Sequence, residues 1–473
     1  MVFQFKLVIE KMTHLLLLRP KIKISIPQQN PPIGLGYIAS FLRLHGHKVD
    51  IIDCAIMKES YTQIRSRIEA MNPDVIGITA LSSYYNEMRI LAKVLRPLQI
   101  PIILGGVHVS ALPELSLREC KADFVVRGEG ELTILELMDK WFDEEGKKKI
   151  KGIAYLENGK IRINPNRELI QNLDDIPFPA WDLINPSWYP RQPHGEIYKR
   201  YPVAPILTTR GCPYSCSYCA STQFWRRKFR RRSARNIVDE IEYLVNDFKI
   251  REIHIWDDNF TLMRKHVVEF CREVLRRKLD LTFACPNGVR IDTLDKELLR
   301  LMRRTGFYSI TFAIESGSQK ILDRANKKIN LKVIPEKLKI AKKLGFIIPS
   351  FFIFGLPGET YTTARRTIQF AKSLPLDTAV FFIAKPLPGS KLFDDWRQEN
   401  NLLKLNYDWF SFNRFRNRLI LKNGKKILNL PQDAYREFLF RPIQILRLLK
   451  MIYFYPKREM HHTIQRVFHY VFG

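Results

Sequence analysis

The stretch Thr208-Thr209-Arg210-Gly211-Cys212-Pro213-Tyr214-Ser215-Cys216-Ser217-Tyr218-Cys219 decides the interpretation of this 473-residue chain. It follows directly on a short apolar run, residues 204–209, which has the length and composition of a buried strand. Three cysteines at CxxxCxxC spacing on one loop can ligate three irons of a [4Fe-4S] cubane, whereas a cubane held entirely by protein takes four cysteines. The loop therefore predicts an iron–sulfur cluster with one iron left for another ligand.

A structural zinc loop is the alternative interpretation of these cysteines. Such a site takes its ligands in pairs, the second pair coming from another knuckle. Cys271 and Cys285 are isolated in the sequence and supply no second pair. Seven cysteines in 473 residues are an odd number and too sparse for a disulfide framework. The pattern favours the cluster.

Apolar runs recur between residues 199 and 400 at intervals long enough for a helix. Six strands are predicted near residues 204–209, 252–257, 281–285, 308–315, 346–355 and 379–385. Six such units predict a partial (β/α)6 barrel, a fold whose chemistry belongs at the carboxyl ends of its strands. The cysteine loop lies at the end of the first of these strands.

The first 145 residues also alternate strand and helix patterns. Their predicted strands are Leu15–Leu18, Val49–Asp53, Val75–Thr79, Ile100–Leu104 and Phe124–Val126. This alternation predicts an α/β fold with a parallel, Rossmann-like sheet covered on both faces. Such sheets bind ligands at the carboxyl ends of their strands, and the loops there are small and apolar, which suits a bulky ligand.

Changes of pattern divide the chain into four regions. A hairpin around Asn158-Gly159 and a proline-rich stretch at residues 176–181 favour a linker. After about residue 400 the alternation ends, aromatic and basic residues dominate, and a helical extension is predicted. The predicted regions are 1–145 (first α/β domain), 146–198 (linker with a small hairpin), 199–400 (partial barrel) and 401–473 (basic helical C-terminal region).

The cysteine loop resembles the signature of radical S-adenosylmethionine (SAM) enzymes, including the aromatic Tyr218 before the third cysteine. The resemblance implies that Cys212, Cys216 and Cys219 hold a [4Fe-4S] cluster. It further implies that the free iron chelates the amino and carboxylate groups of SAM, and that one electron cleaves SAM to a 5′-deoxyadenosyl radical. A reductant such as flavodoxin or ferredoxin is then a partner.

The ends of other barrel strands resemble the SAM-binding elements of that family. Asp258 lies in Asp-Asp-Asn where the family commonly has Gly-Gly-Glu, Glu315 would accept from ribose hydroxyls, and Gly355 would let adenine approach. Each has a structural alternative: a helix N-cap by Asp258 or Asn259, a helix-start carboxylate for Glu315 and a tight turn for Gly355. The complete set of candidate SAM contacts is Tyr218, Asp258, Arg290, Glu315, Ser316 and Gly355.

The first domain resembles a cobalamin-binding domain, and its combination with the barrel resembles cobalamin-dependent radical SAM proteins. Residues 31–36, Thr79-Ala80-Leu81 (the family's Ser-x-Leu) and Gly105-Gly106 carry the resemblance. The implied cobalamin contacts are Pro32, Gly34, Thr79, Leu81, Gly105, Gly106 and His108. Many cobalamin domains have Asp-x-His-x-x-Gly after the first strand, but residues 19–23 contain no histidine. We expect His108 to pack near the cofactor tail rather than to ligate cobalt.

The resemblance implies a methyltransferase that acts on an unactivated carbon of a small-molecule or lipid-like substrate. The deoxyadenosyl radical would abstract hydrogen and methylcobalamin would deliver the methyl group. An oxidative cyclase, like the anaerobic magnesium-protoporphyrin monomethyl ester cyclase, shares these motifs and is not separated by them. A cobalamin-binding sensor or carrier would leave the cysteine loop unexplained.

The net charge of +29 permits nucleic acid, an anionic membrane or an anionic substrate as partner. A tRNA-modifying radical SAM enzyme would need a second cluster, for which the N-terminal half offers only Cys54 and Cys120, so nucleic acid is disfavoured. The basic aromatic C-terminus suits peripheral docking on an anionic membrane, although a helix packed on the barrel would show the same pattern. With no run of 18 apolar residues, we expect a cytoplasmic protein.

Overall fold

The computed structural model describes residues 12–22, 30–189, 198–399 and 429–454. The chain forms two compact units. Of the described residues, one unit comprises 12–22, 32–170 and 175–184, and the other comprises 30–31, 171–174, 185–189, 198–399 and 429–454. Of the predicted C-terminal region, residues 401–428 and 455–473 lie outside the described residues.

The first unit is built on a seven-stranded sheet in the order β2-β1-β3-β4-β5-β6-β7. The strands are β1 (His14–Arg19), β2 (Lys48–Asp53), β3 (Val75–Thr79), β4 (Ile102–Gly105), β5 (Phe124–Val126), β6 (Ile153–Glu157) and β7 (Lys160–Ile163). The first five pair in parallel, and the last two are antiparallel. Leu15–Leu18 are at most 2% exposed because β1 is central in the sheet and covered on both faces.

Helices cover the two faces of this sheet. They are α1 (Ile33–Leu44), α2 (Tyr61–Met71), α3 (Tyr85–Leu95), α4 (Val107–Ala111), α5 (Pro113–Cys120), α6 (Glu131–Asp139) and α7 (Glu144–Lys147). Local chemistry sets their ends: Ser60 and Gln63 form a capping box at the start of α2, which stops at Asn72 in the left-handed conformation. The hairpin predicted around Asn158-Gly159, as part of a linker, is formed by β6 and β7. It extends the sheet, because β6 pairs with β5.

The second unit contains six parallel strands whose spatial order follows the chain, as in a partial barrel. They are β8 (Val203–Ile206), β11 (Glu252–Ile255), β12 (Thr282–Val289), β13 (Phe307–Glu315), β14 (Pro349–Phe354) and β15 (Thr378–Ile383); β9 (Thr209–Arg210) and β10 (Arg230–Arg231) form a separate antiparallel pair. The helices are α8 (Ser221–Phe224), α9 (Ala234–Phe248), α10 (Arg264–Arg276), α11 (Lys296–Thr305), α12 (Gln319–Arg324), α13 (Ile334–Lys343), α14 (Tyr361–Ser373), α15 (Lys391–Glu399), α16 (Leu430–Leu439) and α17 (Pro442–Phe454). The α/β fold class, with its Rossmann-like and barrel parts and helical C-terminus, is confirmed.

The amino end of the barrel is held by a buried carboxylate. Glu252, fully buried at the start of β11, accepts hydrogen bonds from the hydroxyls of Tyr308 and Thr282, both at 2.7 Å, and pairs with His254 at 2.8 Å. A buried carboxylate is tolerated only when it is satisfied in this way. The network fixes three neighbouring strands at the end opposite to the cysteine loop.

The last strand of the barrel, β15, is covered by α16. The Phe381 N–H, on this edge strand, donates to the Tyr435 hydroxyl at 3.2 Å, and Glu437 accepts from Lys372 at 2.9 Å. Covering an edge strand removes its free backbone donors from solvent. The described part of the C-terminal region is therefore a structural element of the second unit. None of the helices within the described residues combines the length and the apolar character needed to cross a membrane.

Candidate functional site

The cysteine loop begins at a strand end that is fixed by Asp257. The carboxylate of Asp257, which follows β11, accepts from the backbone N–H groups of Thr208 at 2.7 Å and Thr209 at 3.1 Å, and from the Thr208 hydroxyl. Thr208 Oγ1 also lies 2.9 Å from Nε2 of His266. Burial raises the pKa of Asp257 to about 6, although these hydrogen bonds act in the opposite direction. Asp258 was predicted as a site residue, whereas its neighbour Asp257 was not.

Gly211 lets the loop pass closely under a second loop. Its φ is +88°, and a Cβ there would lie 2.1 Å from the Lys228 carbonyl oxygen. Only glycine combines this conformation with this approach. The cysteine that follows is thereby presented at the carboxyl edge of the barrel.

The three loop cysteines differ from the others in exposure. Cys212, Cys216 and Cys219 are partly exposed free thiols, whereas the four cysteines elsewhere are buried. Among the described residues, no three His, Cys, Asp or Glu side chains converge on a single metal ion. A zinc site needs such convergence, but the thiolates of a cubane bind different irons. The donor set therefore fits a cluster better than zinc.

Glu315 holds an unusual backbone conformation at the end of β13. Its φ is +72°, in the left-handed region that non-glycine residues seldom occupy, and its side chain is buried. Oε1 accepts from the Tyr218 hydroxyl at 3.0 Å and from Nζ of Lys327 at 2.9 Å. The carboxylate is thus linked to the cysteine loop. The helix-start alternative is not observed, because α12 begins at Gln319 with Ser318 as its N-cap.

A segment after α12 is also joined to the cysteine loop. The backbone N–H of Ser217 donates to the Ala325 carbonyl at 2.9 Å, and the Asn326 side chain donates to the Ser215 carbonyl at 3.1 Å. Lys327 follows directly. No motif marked Lys327 in the sequence, because its partner Glu315 lies 12 residues away beyond a turn and a helix.

Asp258 is exposed at the mouth of the barrel. Desolvation of its carboxylate by neighbouring protein groups raises the pKa of Asp258 above the ordinary value, although hydrogen bonds from Ser221, the Gly211 backbone and Trp225 act in the opposite direction. Of the two residues proposed as a helix cap, Asn259 occupies the N-cap position of the short 3-10 turn at residues 260–262, without a side-chain hydrogen bond. Asp258 caps neither this turn nor α10, whose N-cap is Met263.

Arg290 is already engaged by protein groups, which corrects its expected contact with anionic groups of SAM. The guanidinium donates to Asp292 at 2.7 and 3.1 Å and to the carbonyls of Lys327 at 2.5 Å and Lys328 at 2.8 Å. It also stacks over the Tyr214 ring, 3.7 Å from the centroid. Arg290 therefore clamps the cysteine loop to the 327–328 segment.

Two further candidates lie in turns after barrel strands. Ser316 has no exposed surface. Its hydroxyl lies 3.2 Å from Thr367 Oγ1 and accepts from the Ser318 N–H at 3.2 Å, so it stabilises the turn. Gly355 has φ +86°, and its N–H donates to Glu359. Burial raises the pKa of Glu359 to about 7. The tight-turn explanation of Gly355 is thus present in the structure.

Lys385 lies two residues after the end of β15, and its ammonium nitrogen is buried. Burial lowers the pKa of its ammonium group to about 7. Ala384 packs in an apolar cluster with Leu356 and Tyr218.

In the first unit, the candidate glycines lie at the carboxyl edge of the sheet. Thr79 and Gly105 are register partners at the ends of β3 and β4. Gly106 has φ +106°, and a Cβ there would lie 2.8 Å from the Ala80 carbonyl oxygen. A Cβ on Gly105 would meet nothing within 4 Å, so the protein's own packing does not require glycine there. The open edge fits close approach of a flat ligand.

The loop that starts α1 adds to this edge. The Pro32 carbonyl accepts from the N–H groups of Leu35 and Gly36 at 2.9 and 3.1 Å and so begins the helix. Gly34 is exposed, and a Cβ there would also meet nothing within 4 Å. Leu81 is 50% exposed. An exposed leucine beside two open glycines suits an apolar ligand surface.

His108 is buried directly after the glycines, and its predicted place beside the cofactor tail stays a prediction. Its imidazole has no exposed surface, stacks on Tyr85 with ring centroids 3.9 Å apart, and shares a 3.0 Å hydrogen bond between Nδ1 and Ser82 Oγ. Burial lowers the pKa of His108 to about 3. In the loop without histidine, Arg19 instead forms a buried bidentate ion pair with Asp53, at 2.8 and 2.5 Å.

Comparison with known proteins gives matches for both units. The family model of the Radical SAM superfamily matches residues 206–371, and that of the B12 binding domain matches residues 20–138. An uncharacterized methyltransferase of Pyrococcus horikoshii is 35% identical over 90% of this chain and 91% of its own length. The cytidylyl-2-hydroxyethylphosphonate methyltransferase of Streptomyces wedmorensis is 32% identical over 80% of each chain. The anaerobic magnesium-protoporphyrin IX monomethyl ester cyclase of Rubrivivax gelatinosus is 32% identical over 77% of this chain and 66% of its own.

Two solved structures share the fold. TsrM from Kitasatospora setae, a radical S-adenosylmethionine methyltransferase, matches with a TM-score of 0.72 at 18% identity, covering 91% of this chain and 89% of its own. OxsB, a cobalamin-dependent S-adenosylmethionine radical enzyme, matches with a TM-score of 0.65 at 20% identity, covering 83% of this chain and 56% of its own. At these identities the likeness concerns the fold alone.

Proposed function

The chain belongs to the cobalamin-dependent radical SAM enzymes, and from that premise we propose that it methylates an unactivated carbon of a small-molecule or lipid-like substrate. Its cofactors are a [4Fe-4S] cluster, SAM and cobalamin. When bound, the cluster supplies the electron that cleaves SAM to a 5′-deoxyadenosyl radical, and cobalamin supplies the methyl group. The link between the three-cysteine loop and the carboxylate of Glu315 carries the radical SAM part of the proposal. The choice of methyl transfer rests on the likeness to a methyltransferase over nearly the whole chain.

In this proposal, Cys212, Cys216 and Cys219 hold the cluster. Asp258, exposed at the mouth of the barrel, accepts hydrogen bonds from the ammonium group of SAM. Glu315 receives both of its protein donors on Oε1, and we assign Oε2 to the ribose hydroxyls. Carboxylates placed in this way bind and orient SAM, because a carboxylate forms strong hydrogen bonds with ammonium and hydroxyl donors.

The first unit would hold cobalamin at the carboxyl edge of its sheet. Gly34 and Gly105 leave room for the corrin edge, and Leu81 offers an apolar contact. Gly106 keeps the β4–α4 turn tight through its positive φ. Residues 19–23, which follow the first strand, contain no histidine, and Arg19 forms an ion pair with Asp53 there. We therefore propose that this loop supplies no histidine ligand to cobalt.

Methyl transfer is favoured over oxidative cyclisation by the extent of the likeness, since the methyltransferase relative aligns over nearly the full length of both chains. The two reactions use SAM differently. Methylation consumes one SAM as the methyl donor, leaving S-adenosylhomocysteine, and a second SAM as the radical source, leaving methionine and 5′-deoxyadenosine. Cyclisation needs only the SAM that serves as the radical source. Nucleic acid remains the disfavoured substrate.

The test is anaerobic incubation of the reconstituted enzyme with methyl-deuterated SAM, a reductant and pooled candidate substrates. The proposal predicts equal amounts of S-adenosylhomocysteine and 5′-deoxyadenosine and a product that gains the deuterated methyl group. 5′-Deoxyadenosine without S-adenosylhomocysteine, together with an unsaturated or cyclised product, would replace methyl transfer by the cyclase alternative.

We also propose that α17 touches an anionic membrane. Phe440, Ile443, Leu446 and Leu449 are 61%, 50%, 62% and 54% exposed. Residues 442–454 contain Arg and Lys but no Asp or Glu, which complements anionic head groups. Such contact would bring a lipid-like substrate to the enzyme.

Vesicle flotation with phosphatidylserine liposomes tests this contact. A variant with Ile443→Ser, Leu446→Ser and Leu449→Ser keeps α16, which packs on the barrel, and is predicted to lose binding. The control removes exposed apolar side chains from the first unit, Leu156→Ser and Ile163→Ser, which are 55% and 42% exposed in the native chain. Equal flotation of both variants would overturn the membrane contact.

A further inference from the structure

A strongly basic loop follows the three cysteines. Residues 225–232 read Trp-Arg-Arg-Lys-Phe-Arg-Arg-Arg, and the side chains of Arg226, Arg227 and Lys228 are exposed. Arg226 and Arg227 both have positive φ, +50° and +58°, so two consecutive residues hold a left-handed bend. Such a bend is costly for residues other than glycine and persists only where its surroundings determine it. The loop is therefore a built feature of the fold.

This basic loop, residues 225–228, is joined directly to the cysteine loop. Nε of Arg227 donates to the Pro213 carbonyl at 3.3 Å, next to Cys212. The Lys228 carbonyl and the Trp225 side chain lie against Gly211, where a Cβ would be 2.1 and 3.0 Å from them. The exposed positive charges therefore lie within a few residues of the cluster ligands.

The segments that flank the loop hold it in place. β10 pairs with β9, which leads into the cysteine loop. The guanidinium of Arg230 lies 5.4 Å from the centre of the Trp225 ring. Arg232, which is buried, pairs with Glu240 and donates to the Leu207 carbonyl at 2.9 Å. The buried arginines are thus structural, whereas the side chains of Arg226, Arg227 and Lys228 lie at the protein surface.

We propose that this basic loop is the docking surface for an acidic one-electron donor protein of the flavodoxin or ferredoxin kind. The inference rests on the proposed function, because reductive cleavage of SAM takes one electron from outside. A donor bound here would lose one electron to a cluster held by Cys212, Cys216 and Cys219. That cluster would supply the electron to SAM, whose C–S bond would break to give methionine and the deoxyadenosyl radical.

Charge and position both favour this partner. A compact cationic surface speeds encounter with an acidic protein and orients it. Electron transfer also needs a short path, which a surface bonded to the cysteine loop provides. A nucleic acid would be attracted by the same charges. Nucleic-acid binding, however, does not require the basic loop to contact the cysteine loop at Gly211 and Pro213.

The test compares two variants of equal charge in the reconstituted full chain. The loop variant, Arg226→Glu with Lys228→Glu, leaves the Arg227 bond to Pro213 in place. The control, Arg300→Glu with Lys339→Glu, reverses two exposed charges on α11 and α13, far along the chain from the cysteine loop. The single variant Lys228→Glu serves if the double variant does not fold. Binding of purified flavodoxin is measured by calorimetry at low ionic strength, and cluster reduction is followed by stopped flow.

We expect the loop variant to bind flavodoxin at least about tenfold more weakly, with a smaller dependence on salt, while the control binds like the native chain. Cluster reduction by flavodoxin hydroquinone should slow in parallel, whereas reduction by photoreduced deazariboflavin, a small neutral donor, stays unchanged. Native flavodoxin affinity in the loop variant, equal weakening in the control, or loss of tRNA binding alone would overturn the docking surface. A native chain that holds no cluster would instead overturn the proposed function.

Discussion

The hydroxyl of Tyr218 donates a 3.0 Å hydrogen bond to Oε1 of Glu315, which joins the cysteine loop to the end of β13. Burial raises the pKa of Tyr218 well above its ordinary range, so the phenol stays protonated and remains a donor. Lys327 approaches the same oxygen at 2.9 Å. The carboxylate is therefore oriented by two groups before SAM binds.

Tyr218→Phe tests this orientation because it removes the donor and keeps the ring. We expect the cluster to be retained and the affinity for SAM to fall about tenfold, since a hydrogen bond to a charged group contributes roughly 1.5–3 kcal/mol. Glu315→Gln should weaken SAM binding further. Equilibrium binding of SAM to the reconstituted protein measures both effects, and native affinity in both variants would remove Glu315 from the SAM site.

Arg290→Gln tests the clamp on the cysteine loop. The change leaves the carbonyls of Lys327 and Lys328 without their donor and removes the stacking on Tyr214, so we expect unfolding to become easier by about 2–4 kcal/mol. Iron should also be lost faster to a chelator. Arg264→Gln, which breaks a half-exposed surface pair, is the control and should cost less than about 1 kcal/mol in urea unfolding. Equal effects of the two changes would contradict the clamp.

Alanine substitutions at Gly105 and Gly106 together test whether cobalamin binds at the carboxyl edge of the sheet in the first unit. Gly106→Ala forces a Cβ to within 2.8 Å of a carbonyl oxygen at positive φ, and should destabilise the first unit by about 1–3 kcal/mol or more. Gly105→Ala meets no protein atom within 4 Å, so its stability should be native within about 0.5 kcal/mol, while corrinoid affinity falls. Absorbance titration with hydroxocobalamin measures the affinity. Unchanged affinity in folded Gly105→Ala would move the corrin away from this edge.

His108 should make the stability of the first unit depend on pH. Its pKa is about 3 in the folded protein and about 6.5 when unfolded. Between these values the unfolded chain binds more protons, so stability is lost as the pH falls below 6.5, by about 2 kcal/mol between pH 7 and pH 5. His108→Phe keeps a ring against Tyr85 and should lack this component. Urea unfolding at pH 7 and pH 5 measures the free energy of unfolding of both proteins. An equal loss of this free energy in the native chain and in His108→Phe would show that His108 does not titrate in this way.

Much of the fold was predictable because parallel strands covered on both faces are nearly continuous apolar runs. The nine residues of β13 are all buried, and the predicted strand 308–315 coincides with it to within one residue. The pairing of the β6–β7 hairpin with β5 was not predictable, since a local pattern does not name the partner of an antiparallel strand.

The site was predictable in position but not in the partners of its side chains. Carboxyl ends of parallel strands meet at one edge, so Asp258 and Glu315 could be assigned to the barrel mouth from their places in the sequence. Arg290 could not, because the carbonyl of Lys327, which it binds, lies 37 residues away. His108 follows the expected glycines, yet the start of α4 turns it inward against Tyr85.

The central claim is that three cysteines hold the cluster in a chain that also binds cobalamin. The most direct test is anaerobic reconstitution followed by iron, sulfide and corrinoid analysis of the native chain, of Cys216→Ala, and of Cys285→Ala, which changes a buried cysteine outside the loop. We predict four irons, four sulfides and one corrinoid in the native chain and in Cys285→Ala, and loss of the cluster with corrinoid retained in Cys216→Ala. A complete four-iron cluster in Cys216→Ala, or a native chain without corrinoid, would contradict the account.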